Sequence, residues 1–248
     1  MLTTLPSVAQ PTEDTTQGPS DWDWDFAREI LPDLIDGMWA TIQLTVVSLV
    51  VAMLLGLVLA MLRRSRLRPV RWPVGAAVEF IRSTPLLVQL YFLYFVLPTA
   101  TLPDLPGLPE RLVLSAFDAA VIGLGVHYAC YTSESYRAGI ESVDRGQWEA
   151  ATALNLSAAT TWRSVVLPQA IPTVIPALGN YLVAAFKDAP LASVITLAGV
   201  LTSAREIRAD SFRGVEPFTV AGVLFLAVSI PAAMFVRYLE RRYGYKRE

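Results

Sequence analysis

Two adjacent charged residues, Lys187 and Asp188, lie within a stretch that is otherwise apolar from residue 173 to 198. A charged side chain at the centre of a membrane-spanning helix costs roughly 2.5–3.5 kcal/mol, so it needs a partner or water. Pro176 and Pro190 interrupt the same stretch, and broken helices at membrane depth line cavities. The pattern predicts either that the two charges border a translocation path or that they form structural ion pairs with a neighbouring helix.

Two further polar residues are candidates for the same path. Gln89 falls in a second apolar stretch, where its amide can hydrogen-bond a polar substrate or another helix. Glu134 lies at the end of a third stretch, and Arg137 follows at the i+3 spacing that favours an ion pair. For both residues the sequence leaves a role in transport and a role in helix packing open.

The rest of the sequence excludes several kinds of chemistry. Cys130 is the only cysteine and His127 the only histidine, so disulfide frameworks, His–Cys metal clusters and histidine-based triads are excluded. The chain also lacks the Gly-x-x-x-x-Gly-Lys-Ser/Thr pattern of a phosphate-binding loop. We therefore expect no catalytic site, no metal and no cofactor in this chain, and hence no enzyme activity of its own.

Long apolar stretches must position these residues. Hydrophobic residues make up 54% of the 248 residues, and residues 39–62 form an uncharged run. That run is longer than the roughly 20 residues needed to cross hydrocarbon. The hydropathy pattern predicts an all-α membrane protein with five spans, at about 39–62, 81–98, 113–133, 173–198 and 217–237. Small residues at every fourth position predict close packing of two of these helices, through Ala52, Gly56 and Ala60 and through Gly125, Ala129 and Ser133.

The distribution of Lys and Arg predicts the orientation of these spans. Five basic residues follow the first span, three lie between the third and fourth, and five occur from Arg237 onward. In a five-span protein all of these lie on one side, and basic loops are typically cytoplasmic. The N-terminus is therefore expected outside and the C-terminus in the cytoplasm.

The region before the first span divides into two parts. Residues 1–20 are rich in Thr, Pro, Ser and Gln and lack a secretory signal pattern, which predicts a disordered extracytoplasmic tail. Residues 21–38 carry apolar residues at helical spacing with acids opposite, which predicts an amphipathic lead-in helix on the membrane surface. This acidic segment either braces the first span or docks a partner.

The region between the third and fourth spans predicts a cytoplasmic helix–turn–helix. The residues "EAATAL" favour a helix, Asn155 tolerates the left-handed conformation that ends one, and Ser157 can cap the next. The second helix is expected to end near Pro168. A connection of about 40 residues is uncommon without a function, and a short projecting helix suits a groove on a soluble partner.

The stretch from Glu149 to Pro168 resembles the EAA loop of permease subunits of ATP-binding-cassette (ABC) importers. The family pattern is Glu-Ala-Ala, three residues, Gly, nine residues, an aliphatic residue, one residue and Leu-Pro, and each spacing matches. The one departure is Asn155, which stands where the family usually has Gly. The resemblance implies that a coupling loop, residues 145–170, contacts an ATP-hydrolysing subunit through Glu149, Ala150, Ala151, Asn155, Leu167 and Pro168.

Other segments resemble the polar amino acid branch of that family, namely "EFIRSTPLLVQL", "YTSESYRAGIESVDRGQWEAA" and "FKDAPLASVI". The resemblance covers nearly the whole chain and implies the five-helix, MetI-like fold of type I ABC importers. It also implies three partners, which are a dimer of ATP-binding subunits, a second permease subunit and an extracytoplasmic solute-binding protein. ATP would be bound by the partner subunit, and no nucleic acid is expected.

The segments "WDWDFAREILPDL", "LGVHYACYTSESYRAGI" and "ALGNYLVAAFKDAPL" are most similar to permeases for ectoine and hydroxyectoine. This resemblance implies such a small polar solute as substrate and favours a heterodimeric pore. The alternative within the family is an amino acid permease of the glutamine or arginine type. Outside the family, the alternative is an ion-coupled secondary transporter in which Lys187 and Asp188 serve the ion. Five spans without an evident inverted repeat argue against that alternative.

Overall fold

The computed structural model describes residues 22–100 and 111–243, and most of them are helical. The predicted disordered tail, residues 1–20, lies outside these described residues. The α-helices are, in chain order, α1 (Trp24–Glu29), α2 (Leu31–Arg63), α3 (Arg68–Arg82), α4 (Leu86–Tyr91), α5 (Ala116–Glu141), α6 (Arg145–Ala153), α7 (Ala158–Thr161), α8 (Leu167–Asp188), α9 (Val200–Ser211) and α10 (Val215–Tyr243). A π-helical turn (Phe92–Val96) and a 3₁₀ turn (Leu97–Thr99) extend α4, a π-helical turn (Trp162–Val166) joins α7 to α8, and a 3₁₀ segment (Ala189–Ile195) extends α8.

The lead-in region contains parts of two helices. Asp23 caps α1, because its side chain accepts the backbone N–H groups of Asp25 and Phe26. The next helix starts with Pro32 at an early position, where a missing backbone N–H costs nothing. Residues 31–38 therefore belong to α2, which continues without a break through the first predicted span.

The predicted second span contains a sharp break. Helix α3 ends at Arg82, and the helical run Leu86–Thr99 is inclined to it by 105°. Thr84 lies in the break and precedes Pro85, and a residue before proline disfavours helical geometry. The predicted start at residue 81 falls in the last turn of α3, so the break lies inside the predicted second span. The basic loop after the first span likewise contains the first turn of α3.

Helix α5 packs along α2 at the centre of the bundle. All six residues of the two predicted small-residue rows are buried. A Cβ atom added at Gly56 would collide with the hydroxyl of Thr132, so the two backbones approach more closely than larger residues would allow. The predicted packing of these two rows is confirmed.

Residues 173–195 of the fourth predicted span form the C-terminal part of a longer helical segment. Residues Ala158–Ile195 form one helical run of 38 residues. The prediction that the helix ends near Pro168 is wrong, because the π-helical turn precedes the proline. In that turn the N–H of Leu167 donates to the carbonyl of Trp162, five residues back, and Pro168 then occupies an early position of α8.

Within residues 22–100 and 111–243, three helical segments are long and apolar enough to cross a membrane, α2, Ala158–Ile195 and α10, and the bent pair of α3 with Leu86–Thr99 would be a fourth. Helix α5 has 26 residues but is more polar, since His127, Tyr128, Thr132 and Ser133 are among its buried residues. These polar groups face the bundle, where other helices can satisfy them. The count of five spans and the side of each terminus stay predictions.

Three charged residues form what we name the N-terminal clamp: Asp23, Arg213 and Glu216. The guanidinium of Arg213 lies 2.9 Å from Asp23 Oδ2 and 3.7 Å from Glu216 Oε1, and the Asp23 N–H donates to Glu216 at 3.1 Å. Glu216 is only 2% exposed. The hydrogen bond from Arg213 lowers the pKa of the Asp23 carboxyl below its usual value and raises the pKa of Arg213. The clamp ties the acidic lead-in region to the start of α10.

Candidate functional site

Asp188 and Tyr128 form the centre of the candidate site. Asp188 is the last residue of α8, and Tyr128 projects from the middle of α5. The phenol of Tyr128 donates a hydrogen bond of 2.6 Å to Asp188 Oδ2. Tyr128 is buried and Asp188 half-buried, so the carboxylate retains access to a ligand. Of the two alternatives that the sequence leaves open for Asp188, the ion pair has no counterpart among residues 22–100 and 111–243, where its side-chain partner is the phenol of Tyr128.

The ring of Tyr128 packs against two further tyrosines, and we name the three the tyrosine cluster: Tyr128, Tyr131 and Tyr181. Their ring centroids lie 5.9–6.3 Å apart, and His127 packs 5.4 Å from Tyr128 and 5.2 Å from Tyr131. The guanidinium of Arg82 lies 5.2 Å from the centroid of Tyr131. Phenol groups donate and accept hydrogen bonds, and their rings attract cations. The cluster can therefore bind a small polar or cationic group weakly and reversibly.

Lys187 lies on a different face of α8 from Asp188. Successive helical residues are about 100° apart, and Lys187 is exposed in a cleft that also contains Asn180, Ala233 and Arg237. Within residues 22–100 and 111–243, no ion pair involves Lys187. The structure therefore separates the two predicted path residues, one beside the tyrosine cluster and one between α8 and α10.

Gln89 bridges the break between α3 and α4. Its amide nitrogen donates to the carbonyl of Ile81 at 2.8 Å and to that of Thr84 at 3.0 Å. Its oxygen lies 3.2 Å from Nδ1 of His127. These contacts satisfy backbone carbonyls that the break leaves without helical partners. They support the packing interpretation and also join the break to the candidate site.

Glu134 connects three helices through arginines. It pairs with Arg63 at the end of α2, lies 3.7 Å from Arg82 of α3, and pairs with Arg137 at 2.9 Å within α5. The i+3 pair with Arg137 is as the sequence predicts. Arg82 also lies over the ring of Tyr131, so Glu134 contacts the tyrosine cluster indirectly, through Arg82.

The coupling loop is built from local capping interactions. Asn155 has φ of 51°, the left-handed conformation that the sequence predicts. The N–H of Leu156 donates to the carbonyl of Ala151, and the N–H of Asn155 donates to that of Thr152, both at 3.0 Å. This pair of bonds is a Schellman motif, which ends α6. Ser157 then caps α7 by accepting the N–H of Thr160 at 3.2 Å.

The EAA residues differ in exposure. The side chain of Glu149 is 69% exposed and forms an i+4 ion pair of 3.1 Å with Arg145. Ala150 is exposed, whereas Ala151 is only 3% exposed. Leu167 and Pro168 are exposed at the far end of the loop. The loop therefore exposes the charged Glu149 near one end and the apolar Leu167 and Pro168 at the other, whereas Ala151 is buried.

Two tryptophans and an arginine that the motif does not include hold the loop against the bundle. Trp148 and Trp162 meet edge to face at 5.6 Å, and the guanidinium of Arg64 lies 5.7 Å from the Trp162 ring centroid. Both rings pack on a buried cluster of Ile140, Val143, Val166 and Ala170. In the sequence, the two tryptophans within an otherwise polar loop are the feature that could have indicated this packing.

Comparison with known proteins gives a consistent set of similarities. A family model for the binding-protein-dependent transport system inner membrane component matches residues 52–245. The chain is 44% identical over 215 residues to the probable amino-acid ABC transporter permease protein y4tG of Sinorhizobium fredii, covering 87% of this chain and 89% of that protein. It is 33% identical over 222 residues to the glutamate/aspartate import permease protein GltK of Escherichia coli, covering 90% and 98%. A solved amino acid ABC transporter with histidines has a TM-score of 0.81 at 31% identity, covering 90% of this chain and 99% of that one.

Proposed function

The chain belongs to the family of binding-protein-dependent transport system inner membrane components, and from that premise we propose that it carries an amino acid. It is a membrane-embedded, multi-pass permease subunit of an ABC importer. Permease subunits of this family are not themselves enzymes, and they work with an ATP-binding subunit and a substrate-binding protein.

The observation that carries the substrate proposal is the set of relatives. The 44% identical relative is named as a probable amino-acid permease, and the solved structure that covers 90% of this chain is an amino acid transporter. The resemblance of three segments to ectoine permeases has no counterpart among these relatives. An amino acid of the glutamine, glutamate or arginine type is therefore the better supported substrate, and ectoine becomes the alternative.

The candidate site is compatible with that substrate class. An amino acid carries an ammonium group that a carboxylate and tyrosine rings attract. Asp188 offers the carboxylate, and the tyrosine cluster offers ring faces and hydroxyl groups. We infer that Asp188 contacts the substrate, whereas Gln89 and Glu134 position the surrounding helices. Lys187 lies about 100° around α8 from Asp188, in the cleft towards α10, and we propose it as a second and separate contact along the path.

We infer that the coupling loop carries motion from the ATP-binding subunit. Glu149, Ala150, Asn155, Leu167 and Pro168 form its exposed surface, and Ala151 anchors it. Closure of the ATP-binding pair moves the loop and shifts the bundle between inward-facing and outward-facing states. This mechanism assumes the predicted five spans, an outside N-terminus, and a pore formed with a second permease chain, identical or homologous.

The test is uptake into proteoliposomes that hold this chain with its cognate partner subunits. Labelled glutamine, arginine, glutamate and ectoine are supplied separately, with ATP or a non-hydrolysable analogue inside. We expect ATP-dependent uptake of at least one amino acid and none of ectoine. Uptake of ectoine alone would restore the alternative substrate. Uptake that ignores ATP and stops when ion gradients are collapsed would favour a secondary transporter instead.

Asp188→Asn tests the site within the same assay. The change keeps the size of the side chain and removes the negative charge. We therefore expect the substrate concentration that gives half-maximal uptake to rise. Asp210→Asn is the matched control, because Asp210 is an exposed acid on α9 that lies outside the tyrosine cluster and receives the same substitution. An unchanged concentration dependence in Asp188→Asn would remove Asp188 from the substrate path.

A further inference from the structure

Helix α3 has two chemically different faces. At 3.6 residues per turn, one face carries charged residues and the other carries apolar residues; these are Arg68, Arg71, Glu79 and Arg82 on the first, and Val70, Val74, Ala77 and Ile81 on the second. The helix is inclined by 105° to the run Leu86–Thr99 that follows it. If that run crosses the membrane, as the proposed function requires, α3 lies close to the membrane plane. Amphipathic helices in this orientation place their polar face at the lipid headgroups.

A cleft of about 600 Å³ opens on the polar face of α3 and falls within the roughly 300–1,000 Å³ of ligand sites. We name it the arginine cleft, and its lining residues are Arg63, Arg71, Trp72, Gly75, Ala76, Arg137 and Glu141. A Cβ atom added at Gly75 would meet nothing within 4 Å, so the wall at this position is open. The cleft therefore has room for a ligand beside its guanidinium groups.

The charges in the arginine cleft are unevenly paired. Arg63 pairs with Glu134, and Arg137 pairs with both Glu134 and Glu141, the one acid in the lining. In the part of the chain that the structure describes, no ion pair involves Arg71. Glu134 and Glu141 thus balance the charges of Arg63 and Arg137, and the remaining positive charge, at Arg71, is complementary to an anion.

Trp72 indicates which source of anion fits. Its side chain is 75% exposed in the same cleft. Tryptophan is enriched at the level of the lipid headgroups, where one part of the ring contacts apolar chains and the N–H contacts polar groups. A soluble anion would gain little from this exposed indole, whereas a phospholipid would contact both the indole and the arginines.

We propose that the arginine cleft binds the headgroup of an anionic phospholipid. The lipid phosphate accepts hydrogen bonds from Arg71 and from the outward-facing donors of Arg63, and the glycerol region packs on Trp72. Guanidinium groups form strong charge-assisted bonds with phosphate oxygens. The bound lipid would fix α3 to the membrane surface beside the pairs that Glu134 makes. The inference rests on the proposed membrane orientation but requires no substrate and no ATP.

The test measures lipid preference of the purified full chain in neutral detergent micelles. Energy transfer from tryptophan to tail-labelled phosphatidylglycerol or phosphatidylcholine gives an apparent Kd for each lipid. We expect a clear preference for phosphatidylglycerol and a loss of more than about tenfold in Arg71→Gln, because this change removes a charge-assisted hydrogen bond to the phosphate as well as a charge. Arg68→Gln is the matched control, because it removes the same charge from the same helix outside the cleft. It should lower the preference by no more than about fivefold, the effect of a basic residue near the surface that forms no specific bond.

Several results would overturn the proposal. Equal losses in Arg68→Gln and Arg71→Gln would indicate diffuse attraction and no site. Displacement of the lipid by inorganic phosphate at constant ionic strength would indicate a site for a soluble anion. If Arg71→Gln keeps its lipid preference but no longer co-purifies with the ATP-binding subunit, the cleft is a protein interface.

Controls keep these outcomes interpretable. Circular dichroism and gel filtration establish that each variant is folded, and Arg71 is chosen because its loss breaks no ion pair recorded among the described residues. Failure of the lipid test leaves ATP-dependent uptake unaffected, and failure of the uptake test leaves lipid preference measurable. The two proposals can therefore fail separately.

Discussion

The coupling loop and the tyrosine cluster are assembled in opposite ways. Nearly every bond that shapes the loop joins residues within five positions of each other, such as Arg145 to Glu149 and Ser157 to Thr160. The tyrosine cluster joins residues from distant helices, and Tyr128 and Asp188 are 60 positions apart. The loop is also largely exposed, whereas in the cluster Tyr128 is buried and Tyr131 and Tyr181 are half-buried. A surface that engages a partner can thus be encoded locally, while a path through the bundle depends on the packing of the whole chain.

The largest expected effect is the loss of ATP-dependent uptake when a charge on the coupling loop is reversed. Glu149→Lys reverses an exposed charge on the loop and should abolish ATP-dependent uptake, by more than about 100-fold if each uncompensated interface charge costs several kcal/mol. Membrane insertion and the tyrosine cluster should be unaffected. Uptake in proteoliposomes, with insertion checked by protease protection, measures the effect.

The double change Arg145→Glu with Glu149→Lys restores the intrahelical ion pair in the reverse order. If that pair were the only role of Glu149, the double variant would transport normally. We expect it to remain inactive, because we propose that the side chain of Glu149 contacts the ATP-binding subunit. Recovery of uptake would reassign Glu149 to helix stability.

The second prediction concerns the tyrosine cluster. Tyr128→Phe removes the hydroxyl that donates to Asp188, and a hydrogen bond to a charged group contributes about 1.5–3 kcal/mol. We expect the KM for the transported solute to rise about tenfold, with basal ATP hydrolysis unchanged. Tyr136→Phe, on the same helix but outside the cluster, should change neither quantity. Equal effects of the two variants would argue against a specific role of Tyr128.

The third prediction tests how locally the loop is encoded. Asn155→Ala places a Cβ-bearing residue without a polar side chain at φ of 51°, which costs about 1 kcal/mol. Amide hydrogen exchange across residues 145–157 should become about fivefold faster, since 1 kcal/mol is that factor at 25 °C. Asn155→Gly should leave the exchange close to that of the wild type. Similar exchange in both variants would show that tertiary contacts, and no local preference, hold the turn.

The smallest expected effect involves the N-terminal clamp. The pKa of Asp23 is lowered in the folded state, so its pair with Arg213 stabilises the fold fully above the ordinary carboxyl pKa of about 3.9. That stabilisation is lost as the pH falls through the lower folded pKa. The melting temperature of the detergent-solubilised chain should therefore fall more between pH 6 and pH 3 in the wild type than in Asp23→Asn.

Asn at position 23 still caps α1, so the variant removes the ion pair with little other change. Asp25→Asn is the control, because Asp25 is an exposed acid whose contact with Arg28 lies wholly at the surface. It should follow the wild-type pH dependence. A wild-type pH dependence in Asp23→Asn as well would assign the acid sensitivity to other carboxylates.

The sequence predicts most where the interactions are local. The turn at Asn155, the cap at Ser157 and the pair of Glu134 with Arg137 each depend on neighbours within four residues, and the structure has all three. The small-residue rows of α2 and α5 were also predictable, because helical periodicity alone places them on one face.

The sequence predicts little where distant elements meet. The 105° break was hidden because it lies inside the predicted span 81–98, where Pro85 indicates an interruption of the helix but not its angle. The π-helical turn before Pro168 depends on how the backbone rearranges around the proline, which residue types do not specify. In the sequence the three tyrosines are ordinary members of two separate helices, α5 and α8, and only folding brings their rings together. Arg82 joined them from α3 for the same reason.

The single helical run from Ala158 to Ile195 connects the two regions, because it begins in the coupling loop and contains Asp188 near its other end. About 45 Å separates Ala158 from Asp188 at 1.5 Å per residue, and a tilt of about 5° around the middle displaces each end by about 2 Å. A shift of that size is enough to break the 2.6 Å hydrogen bond between Tyr128 and Asp188. If the coupling loop moves as we propose and the run tilts as one piece, a small displacement of the loop would open this hydrogen bond at the other end of the run.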